Sequence, residues 1–234
     1  MKHLINLFLF LVPFVTVTAQ KIIDEGYVKM EIIDVKSDKP ELAMQLEMAK
    51  GSITEVFFTK GKYKTATNSM GGMFLMEDHV NVETKKRDLL TNLMGNKTWI
   101  DTNLEEENIL NPDKLNEEDF TVEYDKTQTK DILGYKTYKV TITAKDKGMS
   151  GEGWITDQIK TDANLIQGMK GLNLEGFPLE FTVTIPMMKG QVTVIATEIR
   201  DSVDESDFIL KTDGYTKKTM KEFTDSMGGM SGMF

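Results

Sequence analysis

Short runs rich in Val, Ile, Thr and aromatic residues, cut at intervals by glycine-bearing turns, recur along almost the whole chain, and no other feature restricts the fold as much. Tyr27–Val35 opens the series, with Val28, Met30 and Ile32 at period two and hence on one face of a strand. Ile53–Thr59 and Lys62–Thr67 flank Lys60-Gly61, which reads as a tight hairpin. The series continues through Met73–Asp78, Val80–Thr84, Asp88–Leu93, Lys97–Thr102, Phe120–Asp125, Tyr135–Ala144, Glu152–Gln158, Leu179–Ile185 and Gln191–Arg200. Roughly eleven or twelve short strands at this spacing predict a mainly β (α+β) chain built on an antiparallel sheet or open barrel.

Helices are few. Pro40–Lys50 alternates Leu42, Met44, Leu46 and Met48, yet its Ala, Leu, Met, Gln and Glu favour a helix. Asp38 is placed to cap it, Pro40 suits its first turn and Gly51 ends it. Leu104–Leu110 and Asp162–Lys170 are shorter helix candidates, and Tyr215–Phe223 is a terminal turn or helix.

The first nineteen residues, MKHLINLFLFLVPFVTVTA, carry a basic start, an apolar run and a small-residue site at Val17-Thr18-Ala19. This is the pattern of a cleaved secretory signal peptide over 1–19, and its apolar run is shorter than the ~20 residues of a spanning helix. No cysteine follows to carry a lipid anchor. The expectation is a periplasmic or secreted chain without stable membrane insertion.

Composition narrows the function. The net charge is −9, from 28 Lys+Arg against 37 Asp+Glu, so nucleic acid is not an expected partner. With no Cys, thiol catalysis and zinc–thiolate sites are excluded. Residues 101–125 hold ten acidic side chains and one Lys, without the ligand pattern of an EF-hand, and read as a solvated face. Beyond the signal, His79 is the sole histidine, no nucleophile-elbow motif is present, and Gly151-Glu-Gly153 is not followed by the Lys of a phosphate loop. No enzymatic activity and no cofactor are expected.

Methionine is frequent, at 16 residues, and one pattern occurs twice: Met70-Gly-Gly-Met73-Phe-Leu-Met76 and Met227-Gly-Gly-Met230-Ser-Gly-Met233. Three thioethers suit Cu(I), which makes Met70, Met73 and Met76 a candidate metal set. The same residues also serve as adaptable apolar filling, and strand geometry sends positions three apart to opposite faces, so the first triplet chelates only from a loop.

Ile132-Leu-Gly-Tyr-Lys-Thr-Tyr-Lys-Val140, Gly153-Trp-Ile-Thr-Asp157, Gly176-Phe-Pro-Leu179, Phe208-Ile-Leu and Gly214-Tyr215 follow Phe57-Phe-Thr-Lys-Gly-Lys-Tyr63 and Leu93-Met-Gly-Asn-Lys-Thr-Trp-Ile100. In this order they resemble the bacterial domain-of-unknown-function 4412 family, within the wider group of envelope proteins folded like the lipoprotein carrier LolA. The resemblance, which covers approximately 25–215, implies a strongly curved antiparallel half-barrel with a few covering helices; the expected division is one such domain over 20–223 and, from its glycine content, a flexible Met/Gly-rich tail at 224–234. It implies no catalytic residue. LolA-like proteins hold acyl chains between sheet and helices, so a lipid or lipoprotein is the implied partner. Leu42, Leu46 and Met48 of the candidate helix, with Trp99 and Trp154, are the candidate lining. The tryptophans have a second reading as core.

Overall fold

The computed structural model of the protein describes residues 21–104, 119–144, 148–163, 172, 174–185 and 189–228. The expected signal peptide, most of the helix candidates at 104–110 and 162–170, and the end of the second methionine series lie outside them.

The elements are β1 (Gly26–Ser37), α1 (Pro40–Glu47), β2 (Ile53–Thr59), β3 (Lys62–Ser69), β4 (Phe74–Asn81), β5 (Lys86–Leu93), β6 (Asn96–Asn103), β7 (Phe120–Ile132), β8 (Tyr135–Ala144), β9 (Ser150–Thr156), β10 (Phe177–Ile185), β11 (Gly190–Arg200), β12 (Thr216–Lys218) and α2 (Met220–Gly228). The twelve strands among the described residues join one large, curved sheet in the order β12-β6-β5-β4-β3-β2-β1-β11-β10-β9-β8-β7. Two meanders, β2–β6 and β7–β11, meet on β1, which pairs antiparallel with β2 on one side and β11 on the other. Among the strands of the described residues, only β12 runs parallel to its neighbour, β6.

Curvature has a local cause. Register shifts leave extra residues at Thr197 in β11, opposite Lys29/Met30, at Ile33 in β1, between Asp125 and Thr129 in β7, and at Leu179 in β10. Each extra residue bends its strand and increases twist. The β2–β6 hairpins keep continuous register. Their turns are tight: Met94 and Gly95, at φ 51° and 91°, link β5 to β6, and Leu133 and Gly134, at 52° and 84°, repeat this between β7 and β8. Two successive positive φ values match the twist of the flanking strands, and the second position suits glycine.

Cross-strand registers set the faces. Val28, Val56, Thr65, Asp78, Leu89 and Ile100 form one row across β1–β6, and Gly26, Phe58, Tyr63, Val80, Arg87 and Thr102 form the next. Val28, Val56, Phe58 and Ile100 are fully buried here. Val28, Met30, Val56 and Phe58 share one core cluster with Leu179, Phe177, Ile132, Ile159 and Ile23. A second cluster gathers Phe120, Tyr138, Val140, Ile142, Ile155 and Leu172 over β7–β9.

The opposite face of β2–β6 is more charged, with Tyr27, Phe57, Lys64, His79, Asp88 and Asp101 in one row. The segment after β11 fastens to it. Glu205 pairs with Lys62 at 2.9 Å, Lys64 donates to the Asp207 carbonyl, and Lys217 meets Asp101 at 2.7 Å while lying over the Trp99 ring.

Three local expectations are corrected. The break expected between Asp78 and Val80 is absent: Phe74–Asn81 is one strand, β4, in which Asp78 and His79 continue the ladder opposite Leu89 and Asp88, while Val82, Glu83 and Thr84 fall in the turn to β5. Lys39 holds the cap position of α1, not Asp38, whose N–H is given to the Lys189 carbonyl at 3.1 Å. The helix stops at Glu47, and Gly51, at φ 77°, serves the turn into β2. At the far end, α2 runs to Gly228, into the segment expected as a tail.

Candidate functional site

A concavity of about 620 Å³ lies where three chain segments meet. The exit of β9 supplies Ile159 to Ala163, the approach to β10 supplies Leu172 and Leu174 to Pro178, and the β2–β3 turn supplies Thr59, Lys60 and Gly61, with Asp24 beside them. This volume lies within the ~300–1,000 Å³ of small-ligand pockets.

Backbone pairing fixes these walls. Ile23 bridges in parallel to Ile159, giving its N–H to the Gln158 carbonyl at 2.8 Å and receiving that of Lys160 at 2.9 Å. Both isoleucines are buried. The Gln158 side chain ties the same corner together, accepting from the Lys136 N–H at 2.9 Å and donating to the Lys21 carbonyl at 3.3 Å. On the facing wall, the Glu175 N–H donates to the Tyr124 hydroxyl at 3.1 Å, and its carboxylate meets Lys126 at 3.3 Å. Gly176 lets the wall close on β9, since a Cβ there would sit 2.7 Å from the Thr156 carbonyl oxygen.

The result is amphipathic. Ile159, Leu172 and Phe177 are buried and form the floor with Leu174 and Pro178. Asp24, Lys60, Lys160, Asp162 and Glu175 supply the charged groups of its lining. Leu174 and Pro178 also border a crevice over β8–β10, lined by Val140, Ile142, Gly151, Gly153, Ile155, Phe181 and Val183. That crevice holds only about 10 Å³, no more than about one water, so side chains fill it. In the second core cluster, burial and then the bond donated to Asp157 at 2.8 Å push the Tyr138 hydroxyl pKa up, holding it neutral.

None of the five sequence-derived lining candidates borders either space. Leu46 is 5% exposed and Leu42 half-buried, but Met48, 48% exposed, points away from the buried side of α1. An eight-residue helix presents one stripe, and Met48 falls at its cap. Trp99 lies in β6 under the C-terminal segment and donates to Asp88 at 2.9 Å. Trp154 lies in β9 with the Lys130 ammonium over its ring, packed against the core cluster of Phe58 and Leu179. Seven strands separate the two tryptophans in the sheet order.

The lining residues that sequence reading missed were visible in another role. Lys60-Gly61 stood out as a hairpin turn and Gly176-Phe177-Pro178 as part of the family resemblance, whereas nothing in the sequence pairs Ile23 with Ile159.

Of the methionine triplet, Met70 opens a short 3₁₀ turn (Met70–Gly72), Met73 follows it at 41% exposure, and Met76 lies inside β4 between Thr67 and Thr91. His79 falls on the other face, 3.1 Å from the Glu77 carboxylate. Among the described residues, no group of three or more His, Cys, Asp or Glu is placed to hold a metal ion. No helix among them is long and apolar enough to cross a membrane.

No family model and no curated protein matches the chain. Among solved structures it is similar to a putative outer membrane lipoprotein-sorting protein domain from Vibrio parahaemolyticus, at 11% identity and a TM-score of 0.33, over 79% of this chain and 88% of that one.

Proposed function

We propose that the chain is an exported, non-enzymatic envelope protein of the domain-of-unknown-function 4412 group, a LolA-like half-barrel that binds an apolar ligand such as a lipid or acyl chain. The observation that carries this reading is the cavity of about 620 Å³ with a buried apolar floor and charged groups around it. An acyl chain laid on Ile159, Leu174 and Phe177 loses its contact with water, at about 0.8 kcal/mol per buried methylene. Lys60 and Lys160 offer ammonium partners to an acidic headgroup, and Asp24, Asp162 and Glu175 limit how much negative charge the mouth accepts. The ligand space therefore lies beside the β2–β3 turn and not under α1.

Native mass spectrometry of protein purified from the envelope, followed by lipid extraction, tests the reading directly, and a fluorescent fatty acid titrated at micromolar concentration measures it. Leu174→Glu should weaken probe binding about tenfold or more, because it sets a charge on the apolar floor. Wild-type protein that is empty and binds no probe favours a scaffold without a small ligand. Unchanged binding by a folded Leu174→Glu moves the ligand away from this cavity.

A further inference from the structure

The methionine pattern is not used by the cavity, and the fold rearranges it. β3 runs from the cavity, at Lys62, to the opposite end of the sheet, at Ser69. There the β3–β4 turn carries Met70 and Met73, and the neighbouring β5–β6 turn carries Met94. The two turns are hydrogen-bonded: the Met94 N–H donates to the Met73 carbonyl at 2.8 Å, and the Met73 N–H to the Met70 carbonyl at 3.4 Å. Three thioether side chains thus leave from backbone positions joined in series, with Met73 hydrogen-bonded to both of the others. Each is unbranched and has three rotatable bonds, enough reach for the sulfurs to converge.

Gly71, Gly72 and Gly95 surround them, all at positive φ, and a Cβ added at Gly71 or Gly95 would meet nothing within 4 Å. Met94 is 75% exposed and Met73 41% exposed, an unusual amount of apolar surface for hairpin tips that ordinarily carry polar residues. Met76, the third member of the sequence triplet, is held elsewhere. It stands in the cross-strand row of Met30, Thr54, Thr67, Thr91 and Thr98, of which Met30, Thr91 and Thr98 are buried.

We infer that Met70, Met73 and Met94 form a binding site for a soft monovalent cation, Cu(I) or Ag(I). Neutral thioethers bind soft ions and leave hard divalent ions in water, and three of them satisfy trigonal coordination. The site is independent of the ligand cavity and of any reading of it.

The test uses the full chain, titrated without oxygen with Cu(I) against a chromogenic Cu(I) chelator, and in parallel with Ag(I). Wild type should retain one equivalent. Met70→Leu, Met73→Leu and Met94→Leu should each weaken retention about tenfold or more, since Leu keeps the apolar volume and removes the sulfur. Met76→Leu, and the combined Met227→Leu, Met230→Leu, Met233→Leu variant, should bind like wild type. Circular dichroism with an unchanged denaturation midpoint establishes that each variant is folded. Wild type that yields all its metal, a Met94→Leu variant that binds as wild type, or loss of binding in the Met76 or tail variants would each overturn the assignment.

Discussion

Arg87 and Asp78 stand diagonally across β4 and β5 on the face that also carries Val28, Val56 and Ile100. Nε and a terminal guanidinium nitrogen of Arg87 donate to the two carboxylate oxygens at 2.7 and 2.8 Å. Both side chains are nearly enclosed, at 10% and 14% exposure, so loss of one strands the charge of the other. Arg87→Ala should cost about 3–5 kcal/mol in chemical denaturation, while Arg87→Met combined with Asp78→Leu should cost much less, because no uncompensated charge is left. Equal losses in the two proteins would show that packing, not charge pairing, holds this point. Tyr63 lies in the same row as Arg87, and burial, with Asp78 nearby, pushes its hydroxyl up to about 12 from an ordinary 10.0. The folded state therefore prefers the neutral phenol. Its contribution to stability is complete below pH 10 and fades as the pH climbs from 10 through 12. Melting temperatures of wild type and Tyr63→Phe should accordingly shift toward the variant across that window, and a constant offset would count against a buried titrating phenol.

At the scale of elements, α1 tests how a short helix earns its place. It follows β1 directly, with Pro40 in its first turn, and has no side-chain cap bond at Lys39. A helix of eight residues is marginal alone, so its apolar stripe must hold it. Leu46 is buried and Met48 half open to water. Leu46→Glu should lower stability by about 3 kcal/mol and Met48→Glu by less than about 0.5 kcal/mol, measured by denaturant titration. Similar values for the two would mean that α1 does not pack as described. Period-two alternation cannot make this distinction, since Leu42, Met44, Leu46 and Met48 alternate in sequence yet differ in burial once wound at 3.6 residues per turn.

For the whole molecule, one sheet of twelve strands unites the chain, and β1 is its seam. The β1–β11 pairing joins residues near the two ends of the described chain, so the sheet closes only after most of the chain is present. The cavity depends on the same closure, because its walls come from the β2–β3 turn and from the segments flanking β10. The proposed export is tested on the whole molecule too: N-terminal sequencing of protein from fractionated cells should read Gln20 first, in the envelope fraction. An intact Met1 or a cytoplasmic product would remove the envelope from the proposed function.

Strand content, the hairpin at Lys60-Gly61 and the inward set of Val28 and Met30 were legible in the sequence, because alternation and turn glycines act over a few residues. The break expected between Asp78 and Val80 was not there, because the backbone of His79 continues the ladder opposite Asp88. The tertiary structure alone decided which loops meet. Ile23 joins Ile159, and the 175 loop docks on Tyr124, through hydrogen bonds between residues far apart in the chain, with no local pattern to announce them. Methionine shows the division most plainly. Sequence spacing groups Met70 and Met73 with Met76, but a strand turns Met76 inward and a neighbouring hairpin brings Met94 beside them. Local periodicity determined the strands. Cross-strand register, which couples distant residues through backbone hydrogen bonds, decided the sites.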